Sequence, residues 1–492
     1  MPRLAVPFLA TLWGCRITFM SEQAVVAYAP VVDMPGAAEP LVAAPVAEAA
    51  PAGPAPVTAA ERISSIDLLR GFALLGILLM NILTFGLPMA AYFNPNVAGG
   101  NTGANLWAWI LQYILFDGRM RGIFSMIFGV SAYLLITRAE ERGYGHSIAD
   151  IYYRRTMWLI LFGVVHAYLI WWGDILYPYA LLGLILYPLR KLRPRALFIA
   201  AGVQIVVLIG MQIGEGFQTR ELRDKAAQAD VAKARGEKLT EEQEEAQRKW
   251  KEAMKQMKPG PEELKKETDA YRGSYLAALK RRAQTVIRWH SMPFYFPGNG
   301  DMLALMFIGI ALLKTGVLTA ERSFRFYAWL AAAGYGIGLP INIFAAWKAV
   351  QQNFEPLLLN FTLSTYQVGR VSITLAHVAV LMMIYKSGAL RWLTSRLAAV
   401  GQMAFSNYIS HSVICSLIFY GYGLAMFGRL ERYQLYGVVA GIWLFQLMVS
   451  PIWLRHFRFG PLEWAWRSLT YWKRQPMRIR AAQPVEAVAA AS

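Results

Sequence analysis

The chain has 492 residues, of which 56% are hydrophobic and only 16% charged. An ordinary soluble domain carries about 25% charged residues, so this balance excludes a soluble enzyme, a disulfide scaffold and a mainly disordered chain. Its 49 Lys and Arg against 31 Asp and Glu leave a net charge of +18. With no nucleic-acid motif in sight, that excess reads as the basic short loops of a membrane protein, and no nucleic-acid partner is expected.

Residues 1–60 read as a disordered Ala/Pro-rich tail. Within it, Met1–Cys15 is a weak match to a signal or lipoprotein leader, and Met20 is an alternative start. A membrane-spanning helix needs roughly 20 apolar residues. Runs of that kind predict about ten spans, near 66–88, 119–138, 154–173, 174–190, 195–214, 299–318, 324–346, 366–386, 399–426 and 432–454. A short amphipathic helix is expected at 104–116. The fold class is therefore all-α, a polytopic membrane helix bundle. It divides into a first membrane group (61–215, about five spans), a charged helical extramembrane insert (216–290), a second group (291–480, about five spans) and a disordered 481–492 tail.

Arginine and lysine clusters at 138–155, 190–195, 314–325, 386–396 and 455–480 alternate with poorly charged loops. This alternation places both termini in the cytoplasm and the insert on the outer side. The insert reads either as a solvated helical hairpin or as a lid or partner surface.

Ionisable groups within spans are costly, and each is a site hypothesis. His166 lies in the third span and Asp174 at its outer end. A separation of eight residues is about 12 Å along one helix, so their pairing requires a break at Gly173 or a partner from another span. As a pair they are the candidate catalytic groups, a general base and the carboxylate that orients it. The alternative is that His166 only hydrogen-bonds a neighbouring helix. In the eighth span Gln367, Arg370, Thr374 and His377 fall on one face, which suits a water-filled cavity or interhelical bonding. Asn407 and His411 lie one turn apart in the ninth, a pattern commoner for helix–helix hydrogen bonds. Asp117, Arg119, Arg121, His290 and Asp301 gather near the outer ends, His290 and Asp301 flanking Pro297-Gly298-Asn299-Gly300. At the inner end of the first span, Ser64 and Asp67 occupy capping-box positions. Arg70, one turn deeper, either snorkels or binds an anion, and Asn81 faces the bundle interior. No phosphate-binding loop, zinc helix, nucleophile elbow or metal-ligand spacing is present in the sequence.

The stretch Arg62-Ile-Ser-Ser-Ile-Asp67-Leu-Leu-Arg70-Gly71, continuing to Asn81, resembles the opening of the YeiB-like bacterial membrane proteins. Gly401-Gln-Met-Ala-Phe-Ser-Asn407-Tyr408 and Gly460-Pro461-Leu-Glu463-Trp464-Ala-Trp466-Arg467 are similar to their domain of unknown function 418. The resemblance covers about residues 61 to 480 and implies a multi-pass protein of the bacterial inner (plasma) membrane. It extends distantly to transmembrane acyltransferases, including lysosomal heparan-glucosaminide acetyltransferase, which begin with a similar Asp-x-x-Arg-Gly helix. Those enzymes use a histidine after the first span. This chain has none between Met80 and Gly145, which leaves His166 as the candidate.

On that reading the protein is an acyltransferase. Asp67, Arg70 and Asn81 hold an acyl-CoA donor, and His166 and Asp174 carry the chemistry. Arg119, Arg370, His377, Asn407 and His411 bind a small-molecule, lipid or glycan acceptor. No metal and no permanently bound cofactor is implied; the expected partners are the bilayer and a second copy of the chain. The alternatives are a secondary transporter or exporter of a small anionic or amphipathic solute, and a non-enzymatic scaffold or sensor.

Overall fold

A computed structural model describes residues 62–98, 100–143, 147–291 and 299–479. The expected terminal tails and the Pro297-Gly298 turn lie outside them. Among the described residues the fold is all-helical, apart from a single antiparallel bridge between Phe457 and Arg478.

α1 (Ser64–Gly86) is mainly apolar and 78% buried over its apolar window. It forms the axis of the bundle, as expected of a helix that is hydrophobic on most of its circumference. A one-turn α2 (Ala90–Phe93) follows, and then α3 (Gly103–Leu115), whose Trp109 packs into a small cluster with Ala346, Ala349 and Phe354. α4 (Arg119–Glu141) lies against α1. α5 (Ser147–Val165) passes into one π-helical turn, His166–Ile170. The chain leaves the helix at Trp171, in extended conformation, and re-enters at α6 (Leu176–Leu189).

α7 (Pro194–Ala234) is 41 residues long, so the fifth apolar run continues into the charged insert without a break. The insert proceeds through α8 (Glu241–Met257), opened by a Thr240–Gln243 capping box, then α9 (Pro261–Arg272) and α10 (Tyr275–His290). It is more than a solvated hairpin. Tyr271 and Ala278 are buried in one cluster with Leu87, Phe419, Tyr420 and Phe427, at the far end of α1. The second half comprises α11 (Gly300–Lys314), α12 (Phe324–Gln351), α13 (Pro356–Ser387), α14 (Arg391–Gln402), α15 (Ala404–Phe419), α16 (Arg432–His456) and α17 (Pro461–Tyr471). The run read as one ninth span is thus two helices, parted at Met403.

Six stretches among the described residues are long and apolar enough to cross a membrane; α6 and α15 are apolar but shorter. In α7, Ile199, Val203, Val206 and Val207 are each more than half exposed. In water such a stripe would be an aggregation liability; against lipid tails it has a solvent. The molecule is a helical membrane protein. α1 meets α14 where both backbones are bare. A Cβ at Gly71 would stand 1.9 Å from the Leu397 carbonyl oxygen, and one at Gly401 would stand 2.0 Å from that of Asp67. Small residues let helices pack at backbone distance, and here they bring the first and last helix groups together.

Candidate functional site

That crossing forms the floor of a cavity of about 260 Å³, at the end of the bundle where both described chain ends lie. Arg62, Arg70, Arg138, Arg155 and Arg467 line it against only Asp67 and Glu463. Arg70 is held in place, donating to Asp67 Oδ1 at 2.6 Å, Ser131 Oγ at 2.9 Å and the Gly401 carbonyl at 3.3 Å. Arg62 bonds the Gln402 side chain. Arg155 lies 3.7 Å over the Trp466 ring and Arg467 4.5 Å over Phe459. Among the described residues, neither Arg62, Arg155 nor Arg467 makes an ion pair. Burial lowers the Arg467 guanidinium to about 10, with Arg62 and Arg70 acting in the same direction and Tyr471 and Glu463 opposing. A group of cations facing a void and short of carboxylates is electrostatically suited to an anion.

Glu463 has another task. Its carboxylate accepts from the Phe405 and Ser406 amides at 2.6 and 3.1 Å and from Ser406 Oγ at 2.5 Å. It therefore caps α15, whose first amides would otherwise be unsatisfied inside the protein. Phe128, Leu159, Leu176, Tyr179 and Tyr408 also line the cavity.

Behind Tyr408 lies His166, the two rings edge to face at 5.2 Å. His166 Nδ1 is 2.7 Å from Asp174 Oδ1, and Nε2 is 2.8 Å from Ser412 Oγ. Asp174 Oδ2 accepts the Tyr177 amide at 2.7 Å, tying down the start of α6. The pairing is direct, although eight residues of regular helix would hold the two apart. The π-turn and the extended Trp171 fold the chain back, and Gly163 makes room, since a Cβ there would meet the Tyr177 amide nitrogen at 2.4 Å. A π-turn leaves carbonyls without helical partners, and α10 supplies donors. Arg282, fully buried, donates to the Tyr168 and Ile170 carbonyls at 2.9 and 2.6 Å, and the Tyr275 hydroxyl donates to that of Leu169 at 2.8 Å.

The expected acceptor residues do not join this group. Arg370 pairs with Asp301, as does Arg121 at 2.5 Å, and Arg370 also donates to Gln367 at 2.6 Å. Arg119 is fully buried, beside Tyr113 and Tyr366, and donates to the Asp117 carbonyl. His377 bridges the Tyr335 hydroxyl at 2.7 Å and the Leu115 carbonyl at 2.9 Å. Asn407 bonds Ser450 and the Val400 carbonyl, and His411 bonds Gln446 at 2.8 Å, so both join α15 to α16. Asn81 is absent from the cavity wall, unlike Asp67 and Arg70.

A family model described as "Protein of unknown function (DUF418)" matches residues 312–473. "Uncharacterized protein YeiB" of Escherichia coli K12 is 30% identical over 427 residues, covering 86% of this chain and 98% of its own length. The chain belongs to the YeiB family. "Uncharacterized protein YxaH" of Bacillus subtilis 168 is 29% identical over 446 residues, covering 86% of this chain and 97% of its own length. No solved structure matches.

The motifs that carry the resemblance to the YeiB family are one construction. Asp67-Leu-Leu-Arg70-Gly71 crosses Gly401, and Glu463 of the last motif caps the helix that follows Gly401. Reading the sequence missed Ser412, one residue beyond His411, and missed Arg155 and Arg467 as cavity residues. Nothing in the local pattern marks these.

Proposed function

We propose that the protein transfers an acyl group from a phosphate-bearing thioester of the acyl-CoA class to a hydroxyl or amine acceptor. One observation carries this reading: a cavity lined by five arginines against two carboxylates, with apolar side chains in the same wall and with Tyr408, which packs on His166, among its lining residues. The phosphates and nucleotide part of such a donor would lie across Arg62, Arg70, Arg155 and Arg467. Its acyl chain and thiol-bearing arm would occupy the apolar part. His166 serves as general base, and Asp174, touching only Nδ1, fixes the tautomer that leaves Nε2 free to accept a proton. Donor supply then puts this end of the bundle in the cytoplasm of a bacterial inner membrane, in keeping with its basic loops.

The test is acyl-CoA binding to purified protein in detergent, read by thermal shift. Stabilisation should rise with acetyl-CoA concentration and be lost in Arg70→Ala, while His166→Ala keeps it. Absence of a shift with short- and long-chain acyl-CoAs, in a protein that melts cooperatively, would end this reading.

A second reading has its own support. Broken helices at residues 166–175 and at Met403 are of the kind that build solute sites in secondary transporters. Flux of an organic anion into proteoliposomes, with no CoA released, would favour it.

A further inference from the structure

Resting on the acyl-transfer reading, we infer that Ser412 is the nucleophile and that transfer passes through an ester on its Oγ. Serines inside apolar helices ordinarily return their hydroxyl to a carbonyl three or four residues back. α15 contains its own controls. Ser410 donates to the Asn407 carbonyl at 2.8 Å and Ser416 to that of Val413 at 2.9 Å. The Ser412 hydroxyl instead meets His166 Nε2 at 2.8 Å. Ser412 and His166 are each 1% exposed, and Asp174 holds the far side of the imidazole. A hydroxyl, an imidazole and a carboxylate linked in this order are the arrangement that activates a serine for acyl transfer, recognised by geometry and independent of chain order.

The position along α15 also fits. Ala404, Phe405 and Tyr408 line the cavity, and Ser412 is the next turn on that side, about 6 Å beyond Tyr408 by helical rise. On this proposal the thioester carbonyl reaches Ser412 Oγ past the Tyr408 ring, which lines the cavity and packs on His166.

The chemistry balances in two steps. The Ser412 Oγ proton passes to His166 Nε2 as Oγ bonds to the thioester carbonyl carbon. The C–S bond breaks, and the leaving thiolate takes the proton from the imidazolium and departs as the CoA thiol. The acceptor hydroxyl or amine then gives its proton to His166 and attacks the ester. Ser412 Oγ leaves and recovers the proton. Asp174 is a positioning residue throughout.

The experiment incubates the full-length protein in detergent with acetyl-CoA and no acceptor. It measures CoA thiol release, the thermal shift and the mass of the peptide containing residue 412. The inference expects a stoichiometric burst of thiol and one acetyl group on that peptide, absent in Ser412→Ala. The burst should fall by about a hundredfold or more in His166→Ala, the scale of losing a general base. Ser412→Cys keeps a nucleophile of similar size and should trap a thioester that hydroxylamine releases. If Ser412→Ala fails to fold, that trapped thioester decides the matter. A wild-type acetyl-CoA shift with no acetyl on residue 412, nor on the Ser412→Cys variant, overturns the covalent step and leaves direct transfer standing. No shift with any acyl-CoA overturns both.

Discussion

Two arginine clusters at opposite ends of the bundle have different fates. Near the start of α4, Arg121 and Arg370 converge on the carboxylate of Asp301, which is 3% exposed. Near the chain ends, Arg62, Arg155 and Arg467 line a cavity and, among the described residues, pair with no carboxylate. The first cluster has its counter-charge built in and braces α4, α11 and α13 together. The second has been left short of one. Arginine within a membrane bundle therefore does not mark a ligand site by itself; the shortage of counter-charge is what makes the second cluster the candidate.

Breaking the first cluster should have the largest effect. Asp301→Ala leaves two guanidinium groups near the core without their counter-ion, and breaking such a pair costs about 3–5 kcal/mol. Denaturant unfolding in detergent should give a loss of that size, with acyl-CoA binding by the remaining folded fraction unchanged. Arg467→Ala, at the other end, should do the reverse. Removing one charge-assisted phosphate contact costs about 1.5–3 kcal/mol, roughly a tenfold to hundredfold loss in coenzyme A affinity by titration calorimetry, with little change in melting temperature. If both variants lose stability and neither loses affinity, the contrast between the clusters fails.

Salt sharpens the difference at a smaller scale. Charges open to a cavity mouth are screened at about 10 Å in 0.1 M salt, and buried pairs much less. Coenzyme A affinity should fall several-fold between 0.05 and 0.5 M salt, while the unfolding cost of Asp301→Ala stays constant. The smallest effect belongs to the insert. Lys225 joins Glu221 and Glu242 at 3.1 and 2.6 Å in full solvent, and exposed pairs of this kind contribute little. Lys225→Ala should melt with the wild type.

The all-helical membrane bundle was legible because hydropathy marks long apolar runs directly, although of about ten expected spans six stretches among the described residues are long and apolar enough to cross. Asp67 and Arg70 stood out for the same reason, as charges placed where lipid makes them expensive. The His166–Asp174 pair was half legible. Both residues were visible, but the fold-back that joins them depends on a π-turn whose carbonyls are satisfied from α10, more than a hundred residues later. Ser412 was invisible, because a serine in an apolar helix is ordinarily satisfied by its own backbone. Arg155 and Arg467 looked like loop and tail cations. They became cavity residues only because Glu463 anchors α17 across the start of α15. Asn407 and His411 showed the opposite case, conspicuous polar residues whose hydrogen bonds go to α16.

Two walls of the cavity come from opposite ends of the described chain, one from residues between 62 and 70 and one from residues between 459 and 471. A chain emerging from a ribosome makes the first wall at the outset and the second only near the end, when almost all of the protein is already inserted. For most of synthesis the arginines of the first wall face an unfinished cavity. On the proposed reading, binding competence arrives late, when α17 docks, and a chain truncated before α17 should fail to bind coenzyme A even with every other helix in place.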